Sequence, residues 1–383
     1  SAMKTKNKFL LLIPVMLSFF VMGFVDVVGI ATNYIKADFH LSDSIANLFP
    51  FMVFLWFFLL SIPTSMLMNR IGCRKTVLLS VVITAIALLF PCLDYSLGMM
   101  LVSFSLLGMG NTLIQVSLNP LLANIVSGDR LASSLTLGQF MKAIASFLGP
   151  IIAGCMLLRF GNWLYLFPCF FIVALVSAIG LSAVSIEEQK QERESSFMQC
   201  LSLLADNVIL VLFLGIVCHV GMDVGINMTL PKILMERVGI DLSEAGYASS
   251  AYFLFRTVGC FAGVFILAHC SSRKFFKVSL AFLLLGLVGL LFFNGKALLY
   301  VSIVFVGLGN SNIFSIIFSQ ALLHKPSQKN EISGLMIMGL IGGAIFPLFM
   351  GLLSDLFAAQ FGAILIVCAG AAYLVYVGMK MRA

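Results

Sequence analysis

Long runs without a single charged side chain recur along this 383-residue chain, and they decide which solvent it can fold in. Residues 44–69, 76–93 and 95–128 carry no Asp, Glu, Lys or Arg, and residues 9–35 carry only Asp26. A helix needs about 20 mainly apolar residues to cross a bilayer. The runs are long enough, and only 10% of the chain is charged, against about 25% in soluble domains. So few charges cannot cover a water-facing surface, so lipid solvates most of the chain. The first run follows Lys4, Lys6 and Lys8. It far exceeds the roughly 7–15-residue core of a signal peptide, and no small-residue cleavage site follows, so a retained first helix is expected.

The pattern predicts an all-α membrane protein of twelve spans, at about 9–35, 45–69, 76–95, 98–126, 131–158, 162–185, 207–231, 244–269, 275–293, 297–322, 332–354 and 359–379. Residues 186–196 are polar and densely charged, unlike anything else in the chain. They divide it into a six-helix half over 1–185, a charged cytoplasmic linker over 186–206 and a second six-helix half over 207–383. Lys36, Arg159, Lys232, Arg237 and Lys296 fall in segments on one side of the membrane, while Lys142 and Arg256 lie within spans. The other 16 of the 23 Lys and Arg fall on the opposite side. Cytoplasmic loops hold the excess of basic residues, so both termini are expected inside, which requires an even number of spans. The net charge of +7 is accounted for by these loops and indicates no nucleic acid. The nine cysteines have no CxxC spacing and read as small apolar fillers.

The two halves repeat one another. Asp26 in Gly23-Phe-Val-Asp-Val-Val-Gly29 corresponds to Asp223 in Gly221-Met-Asp-Val-Gly225, 197 residues on. Arg74-Lys75 corresponds to Arg273-Lys274 and Gly108-Met-Gly110-Asn111 to Gly307-Leu-Gly309-Asn310, both at an offset of 199. Pro150 matches Pro347 at 197. Four matches in order at nearly constant spacing indicate a parallel repeat, and six-helix halves related by an axis along the membrane normal are the major facilitator arrangement.

Ionisable side chains at bilayer depth cost at least about 2.5–3.5 kcal/mol, so those present mark function. Asp26, Lys142, Asp223 and Arg256 sit well inside spans, with His219 one turn before Asp223. In a major facilitator arrangement spans 1, 4, 7 and 10 line a central cavity, with Asp26 and Asp223 facing each other across it. Either carboxylate could load a proton from one side and release it to the other. Equally, Asp26 with Lys142 and Asp223 with Arg256 could be neutralising pairs that hold helices together. Lys142 and Arg256 could instead bind an anion, Arg with its fork of donors. Gln115 and Asn119 on span 4, Gln139 on span 5, Asn227 on span 7 and Asn310 and Asn312 on span 10 offer both donors and acceptors, as sugar hydroxyls require.

Several stretches resemble known families. Asn69-Arg70-Ile-Gly72-Cys-Arg74-Lys75 resembles the loop 2–3 signature of the major facilitator superfamily, with Asn69 where that loop carries an acid. Leu118-Asn119-Pro120, Leu137-Gly138-Gln139-Phe140 and Ile341-Gly342-Gly343-Ala344-Ile345-Phe346-Pro347 ending in Gly351-Leu-Leu-Ser354-Asp355 resemble the L-fucose permease group, the fucose–galactose–glucose:proton symporters, over nearly the whole chain. Three departures stand out. Gln115 occupies the position of an acid on span 4, the span 1 acid aligns nearer Gly29 than Asp26, and Lys142 replaces a neutral polar residue. The resemblance implies a monomeric, multi-pass protein of a bacterial inner membrane that carries a monosaccharide with a proton by alternating access. In that reading Asp26 and Asp223 serve coupling, and Gln115, Asn119, Gln139, Lys142, Asn227, Arg256, Asn310 and Asn312 bind substrate. Arg70, Gly72, Arg74, Lys75, Arg273 and Lys274 serve gating. No cofactor, metal or enzymatic activity is implied. The alternatives are a carrier of a sugar acid or other organic anion, or a drug exporter, using Lys142 and Arg256, and a membrane receptor that transports nothing.

Overall fold

A computed structural model describes residues 2–125, 129–188, 196–325 and 329–381. Residues 189–195, the most charged part of the expected linker, lie outside the described residues. Twelve helices are long and apolar enough to span a membrane: Asn7–Phe39, Asp43–Met68, Cys73–Leu93, Leu97–Asn119, Leu137–Phe160, Trp163–Ser182, Asn207–Val238, Leu242–Leu267, Ser272–Phe292, Lys296–Phe318, Gly334–Phe357 and Phe361–Lys380. They are called spans 1 to 12 in that order. Among the described residues all regular structure is helical. Hydrocarbon offers no partner to a backbone N–H or C=O, and a helix satisfies both within itself. Large apolar side chains such as Leu93, Phe261, Phe265 and Ile179 point outward, where lipid would meet them.

The twelve-span expectation holds, with two boundary corrections. Span 1 runs to Phe39 rather than ending near 35, and span 7 runs to Val238 rather than near 231. Lys36 and Lys232 therefore lie on the helices and not in loops. Both extensions are possible because these ammonium groups are paired with Asp43. The described part of the linker is also not an open strand of polar chain. Phe197–Ser202 is a short helix with a capping box, Ser196 accepting from the Gln199 amide and Gln199 from the Ser196 amide. Cys200 and Leu203 are buried there, and Asp206 then caps span 7 by accepting from the Val208 and Ile209 amides.

The internal repeat has a structural meaning at the Gly-x-Gly-Asn segments. A Cβ on Gly108 would stand 2.0 Å from the Val53 carbonyl oxygen of span 2, and one on Gly110 would stand 2.6 Å from Thr84 Oγ1 of span 3. Their counterparts repeat the arrangement: Gly307 faces the Tyr252 carbonyl of span 8 at 2.9 Å, and Gly309 the Leu283 amide of span 9 at 2.6 Å. The first glycine of each pair thus seats one neighbour and the second seats the other. Association in lipid relies on such close backbone approach because no hydrophobic force drives helices together.

Three spans change winding near their middles. Span 1 passes through a 3₁₀ turn at Gly23–Asp26, span 10 through a turn at residues 311–312, and span 11 through a 3₁₀ turn at Gly339–Ile341. Such interruptions mark places where a helix can flex.

Gly342 lies beside the third of these turns, where a Cβ would sit 1.8 Å from the Val217 carbonyl oxygen of span 7, while a Cβ on Gly98 would meet nothing within 4 Å. Gly342→Ala is expected to destabilise the fold by about 1–3 kcal/mol, lowering the melting temperature in detergent, whereas Gly98→Ala leaves it unchanged.

Candidate functional site

Asp26 closes the 3₁₀ turn of span 1, so its side chain leaves the helix where the winding changes. Its carboxylate accepts a hydrogen bond from Ser146 Oγ on span 5, one turn beyond Lys142. Its backbone oxygen accepts from Asn227 Nδ2 on span 7, 3.2 Å away. Asp223 on span 7 accepts from the Arg256 guanidinium and from the Tyr252 hydroxyl, both on span 8. Arg256 also lies 4.9 Å from the centre of the Phe253 ring. Asn310 on span 10 donates to the Tyr252 hydroxyl at 3.0 Å, extending the network to a third helix of that half.

One of the two expected ion pairs therefore forms, Asp223 with Arg256, and the other does not. No carboxylate oxygen among the described residues lies within 4 Å of the Lys142 ammonium. Its electrostatic neighbours are Asp26 in its own half and Arg256 and Asp223 in the other. Lys142 thus sits between the halves, half-buried, with its charge shared and not neutralised by one partner.

The expected hydroxyl-binding residues divide into two groups. Gln115 reaches Asn111 at 3.3 Å, and Asn111 in turn donates to the Met22 carbonyl just ahead of the span 1 turn. Asn227 and Asn310 are buried, and the side-chain oxygen of each has no protein partner. These three surround the charged cluster. Asn312 belongs elsewhere: it donates to the Gly259 carbonyl at 2.8 Å and to Ser311 at 2.9 Å, tying the break in span 10 to span 8. Asn119 is half-buried one turn beyond Gln115, and Gln139 is exposed one turn before Lys142. His219 is buried, an electrostatic neighbour of Asp223 and Arg256.

The loop residues expected to serve gating lie at the face that carries both termini. Gly72 adopts φ +87°, and a Cβ there would stand 2.2 Å from Glu188 Oε2, so only glycine closes this turn. Glu188 accepts from the Arg74 amide at 2.6 Å, and the Arg74 guanidinium donates to the Ser182 carbonyl at 2.9 Å. The first contact ties the first half to the start of the linker and the second stays within that half, so neither joins the two halves. Arg70, Lys75 and Lys274 are exposed, and Arg273 is half-buried.

A second polar site closes the opposite face. Asp43, 5% exposed, is held by Lys232 Nζ at 3.0 Å, Lys36 Nζ at 2.8 Å, Ser354 Oγ at 2.6 Å and Gln360 Nε2 at 2.9 Å. Asp355 accepts from the amides of Asp43 and Ser44 and from the Ser44 hydroxyl. Asn47 donates to the Pro347 carbonyl at 2.5 Å. Lys232, Pro347, Ser354, Asp355 and Gln360 lie in the second half, and Lys36, Asp43, Ser44 and Asn47 in the first. Every hydrogen bond between the halves among the described residues lies in this clasp or between it and the bilayer centre, as with Asn33 to Met228 and Ser250 to Phe147. None joins the halves at the terminus-bearing end.

Sequence reasoning missed Ser146, Tyr252 and the clasp. The first two had a signal: Ser146 is four residues after Lys142, and Tyr252 four before Arg256, on the same helix faces. The clasp had only Ser354-Asp355, at the end of a stretch already singled out, because its other parts come from spans 1, 2 and 7 and from Gln360 between spans 11 and 12.

Two bundles of six helices, with opposite charges gathered where they meet, define a membrane carrier fold. The Major Facilitator Superfamily model matches residues 14–339 and again 212–381, and the chain belongs to that superfamily. It is 26% identical to a glucose/galactose transporter of Brucella abortus, over 98% of this chain and 94% of that one. Among solved structures, the Escherichia coli fucose:proton symporter FucP aligns with a TM-score of 0.73 at 16% identity, covering 98% of this chain and all of FucP. The nucleoside transporter NupG aligns with a TM-score of 0.79 at 13% identity, with 98% and 100% covered.

Asp355 holds two amides that no helix of the first half can satisfy. Asp355→Ala is expected to raise amide hydrogen exchange in residues 41–48 by about fivefold, the equivalent of the ~1 kcal/mol typical of a lost cap. Mass spectrometry on the purified protein reads this directly, with residues 76–93 as the unaffected reference.

Proposed function

We propose that this chain carries a monosaccharide together with a proton, by alternating access, with both termini in the cytoplasm of a bacterial cell and the division between its halves at 186–206. The observation that carries the reading is the central cluster. Asp223 accepts from a guanidinium and a phenolic hydroxyl, whereas Asp26 has only a hydroxyl partner and no cation within 4 Å among the described residues. A carboxylate at mid-membrane without a fixed counter-ion is the group that gains most from taking a proton. Asp26 is therefore the coupling residue, and Asp223 the fixed counter-charge of Arg256.

The hydroxyl contacts fall to Gln115, Asn227 and Asn310, whose amide groups surround that cluster. The clasp favours an orientation of access: with the halves tied at the far face, substrate reaches the centre from the terminus-bearing side. Opening the other side requires Asp43 to release Lys232, Ser354 and Gln360 together. The sugar–proton reading is in keeping with the glucose/galactose transporter of Brucella and with the fucose:proton symporter whose fold this chain shares.

Proteoliposomes holding the protein should accumulate a labelled monosaccharide when the proton gradient is inward, and only equilibrate without one. Glucose, galactose, fucose and glucuronate make an adequate screen. If no uptake responds to the gradient, proton coupling is wrong. Asp26→Asn is expected to bring the accumulation ratio to about 1 while leaving exchange of internal for external sugar within about threefold, because only an interaction used in coupling has been removed. Loss of exchange as well would give Asp26 a structural role instead.

A further inference from the structure

The charges at the centre balance only while Asp26 is ionised. Asp26 and Asp223 supply two negative charges, Lys142 and Arg256 two positive ones, and all four lie within one electrostatic neighbourhood that crosses the two halves. Arg256 is already engaged, by Asp223 along its edge and by the Phe253 ring against its face. Lys142 is not: among the described residues no carboxylate lies within 4 Å of its ammonium. Loading a proton on Asp26 leaves Lys142 with Asp223 alone as a negative neighbour, and that carboxylate is already paired with Arg256. A neutral sugar cannot supply a counter-charge. An anionic sugar can.

We infer that the cargo is an acidic monosaccharide of the hexuronate class, its carboxylate held by Lys142 while Asp26 carries the accompanying proton. The inference rests on the proton–monosaccharide reading above and narrows its substrate. In the loaded state the carboxylate replaces Asp26 as the counter-ion of Lys142. The site's net charge is then the same empty, with Asp26 ionised, and full, with Asp26 protonated and the sugar acid bound. The halves can rock in either state without moving an unbalanced charge through the bilayer, whose cost is at least about 2.5–3.5 kcal/mol.

The surroundings suit such a ligand. Gln139, Lys142 and Ser146 stand three and four residues apart, which puts them along one face of span 5, with Ser146 on Asp26 and Gln139 exposed towards the open end. A Lys ammonium has three donors and tolerates varied approach, so it can take a ring carboxylate without a fixed fork geometry. Asn227 and Asn310 each present a buried side-chain oxygen without a protein partner, and sugar hydroxyls donate to such acceptors. The charged groups facing Asp26 are Lys142 from span 5 and Arg256 from span 8, with Asp223 and His219 of span 7 grouped around Arg256. Span 4 carries no charged side chain, and its Asn111 reaches the Met22 carbonyl of span 1.

Glucuronate and glucuronamide have nearly the same shape and differ in charge, so they isolate the contact. The full chain in detergent is expected to bind glucuronate at least ~10-fold more tightly than glucuronamide or glucose, a charge-assisted hydrogen bond being about twice as strong as a neutral one. Glucuronate affinity should rise as the medium turns mildly acidic, because binding and protonation of Asp26 favour each other. Asp26→Asn should remove that pH dependence while keeping the preference for the acid. Lys142→Gln should erase the preference, and Lys142→Arg should restore part of it. In proteoliposomes, glucuronate uptake should respond to the proton gradient but not to an imposed membrane potential. Equal binding of acid and amide by the wild-type protein overturns the inference, and needs no variant to fold. Proton-driven uptake of glucose with exclusion of glucuronate overturns it too, yet leaves the proton–sugar reading standing. Uptake of neither sugar overturns both.

Discussion

The rest of the structure is arranged around the difficulty of keeping opposite charges at the centre of a bilayer. Hydrocarbon neither solvates an ion nor satisfies a stray hydrogen-bonding group. The chain places its mid-membrane ions where the two halves meet, and surrounds them with Ser146, Tyr252, Asn227 and Asn310 instead of lipid. Glycines at helix crossings let these side chains come close. A Cβ on Gly29 would lie 2.0 Å from Asn227 Nδ2, and one on Gly23 would lie 2.3 Å from the Lys142 carbonyl oxygen. The 3₁₀ turn ending at Asp26 belongs to the same arrangement, since it sets the carboxylate at an angle a continuous helix would not give.

The halves are built alike and used differently. Gly108 and Gly307, and Gly110 and Gly309, seat corresponding helices in the two bundles. The acids at the matching positions diverge. Asp223 lies in an unbroken helix against a guanidinium, and Asp26 lies at a turn against a hydroxyl. A removable proton needs the second environment, and a permanent counter-charge needs the first. The repeat supplies two carboxylates at matching positions, and their partners differ: a hydroxyl for Asp26, a guanidinium and a phenol for Asp223.

Which parts of this were legible beforehand follows from how far apart the interacting residues lie in the chain. The spans, their number and the repeat could be read because apolar length and a constant offset are local or periodic signals. The Asp223–Arg256 pair could be read because two isolated charges in adjacent spans have few other partners. A pair of Lys142 with Asp26 was one of the two readings open to the same reasoning, and it does not form; the Asp26 carboxylate accepts from Ser146 on the next turn instead. Lys232 was placed in a loop because it follows Pro231 at the end of an apolar run. It is 7% exposed, since Asp43 reaches it from span 2. That pairing joins residues nearly half the chain apart and depends on how the halves dock. No pattern along one helix encodes it.

The clasp and the charge cluster stand on the same two helices, and this links them mechanically. Span 1 carries Asp26, Asn33 and Lys36 in succession, and span 7 carries Asp223, Asn227 and Lys232. Asn227 reaches back to the Asp26 carbonyl, and Asn33 reaches across to the Met228 carbonyl one residue further on. The two helices are thus stitched from the centre to the face where Lys36 and Lys232 share Asp43. A buried ion pair resists separation, because removing one partner leaves the other uncompensated at a cost of about 3–5 kcal/mol. The clasp therefore holds as a unit, and the two helices it ties together are those that carry Asp26 and Asp223. In the proposed coupling role, a change of charge at Asp26 would act on the first stitch of that seam, with no separate transmitting element between it and the clasp.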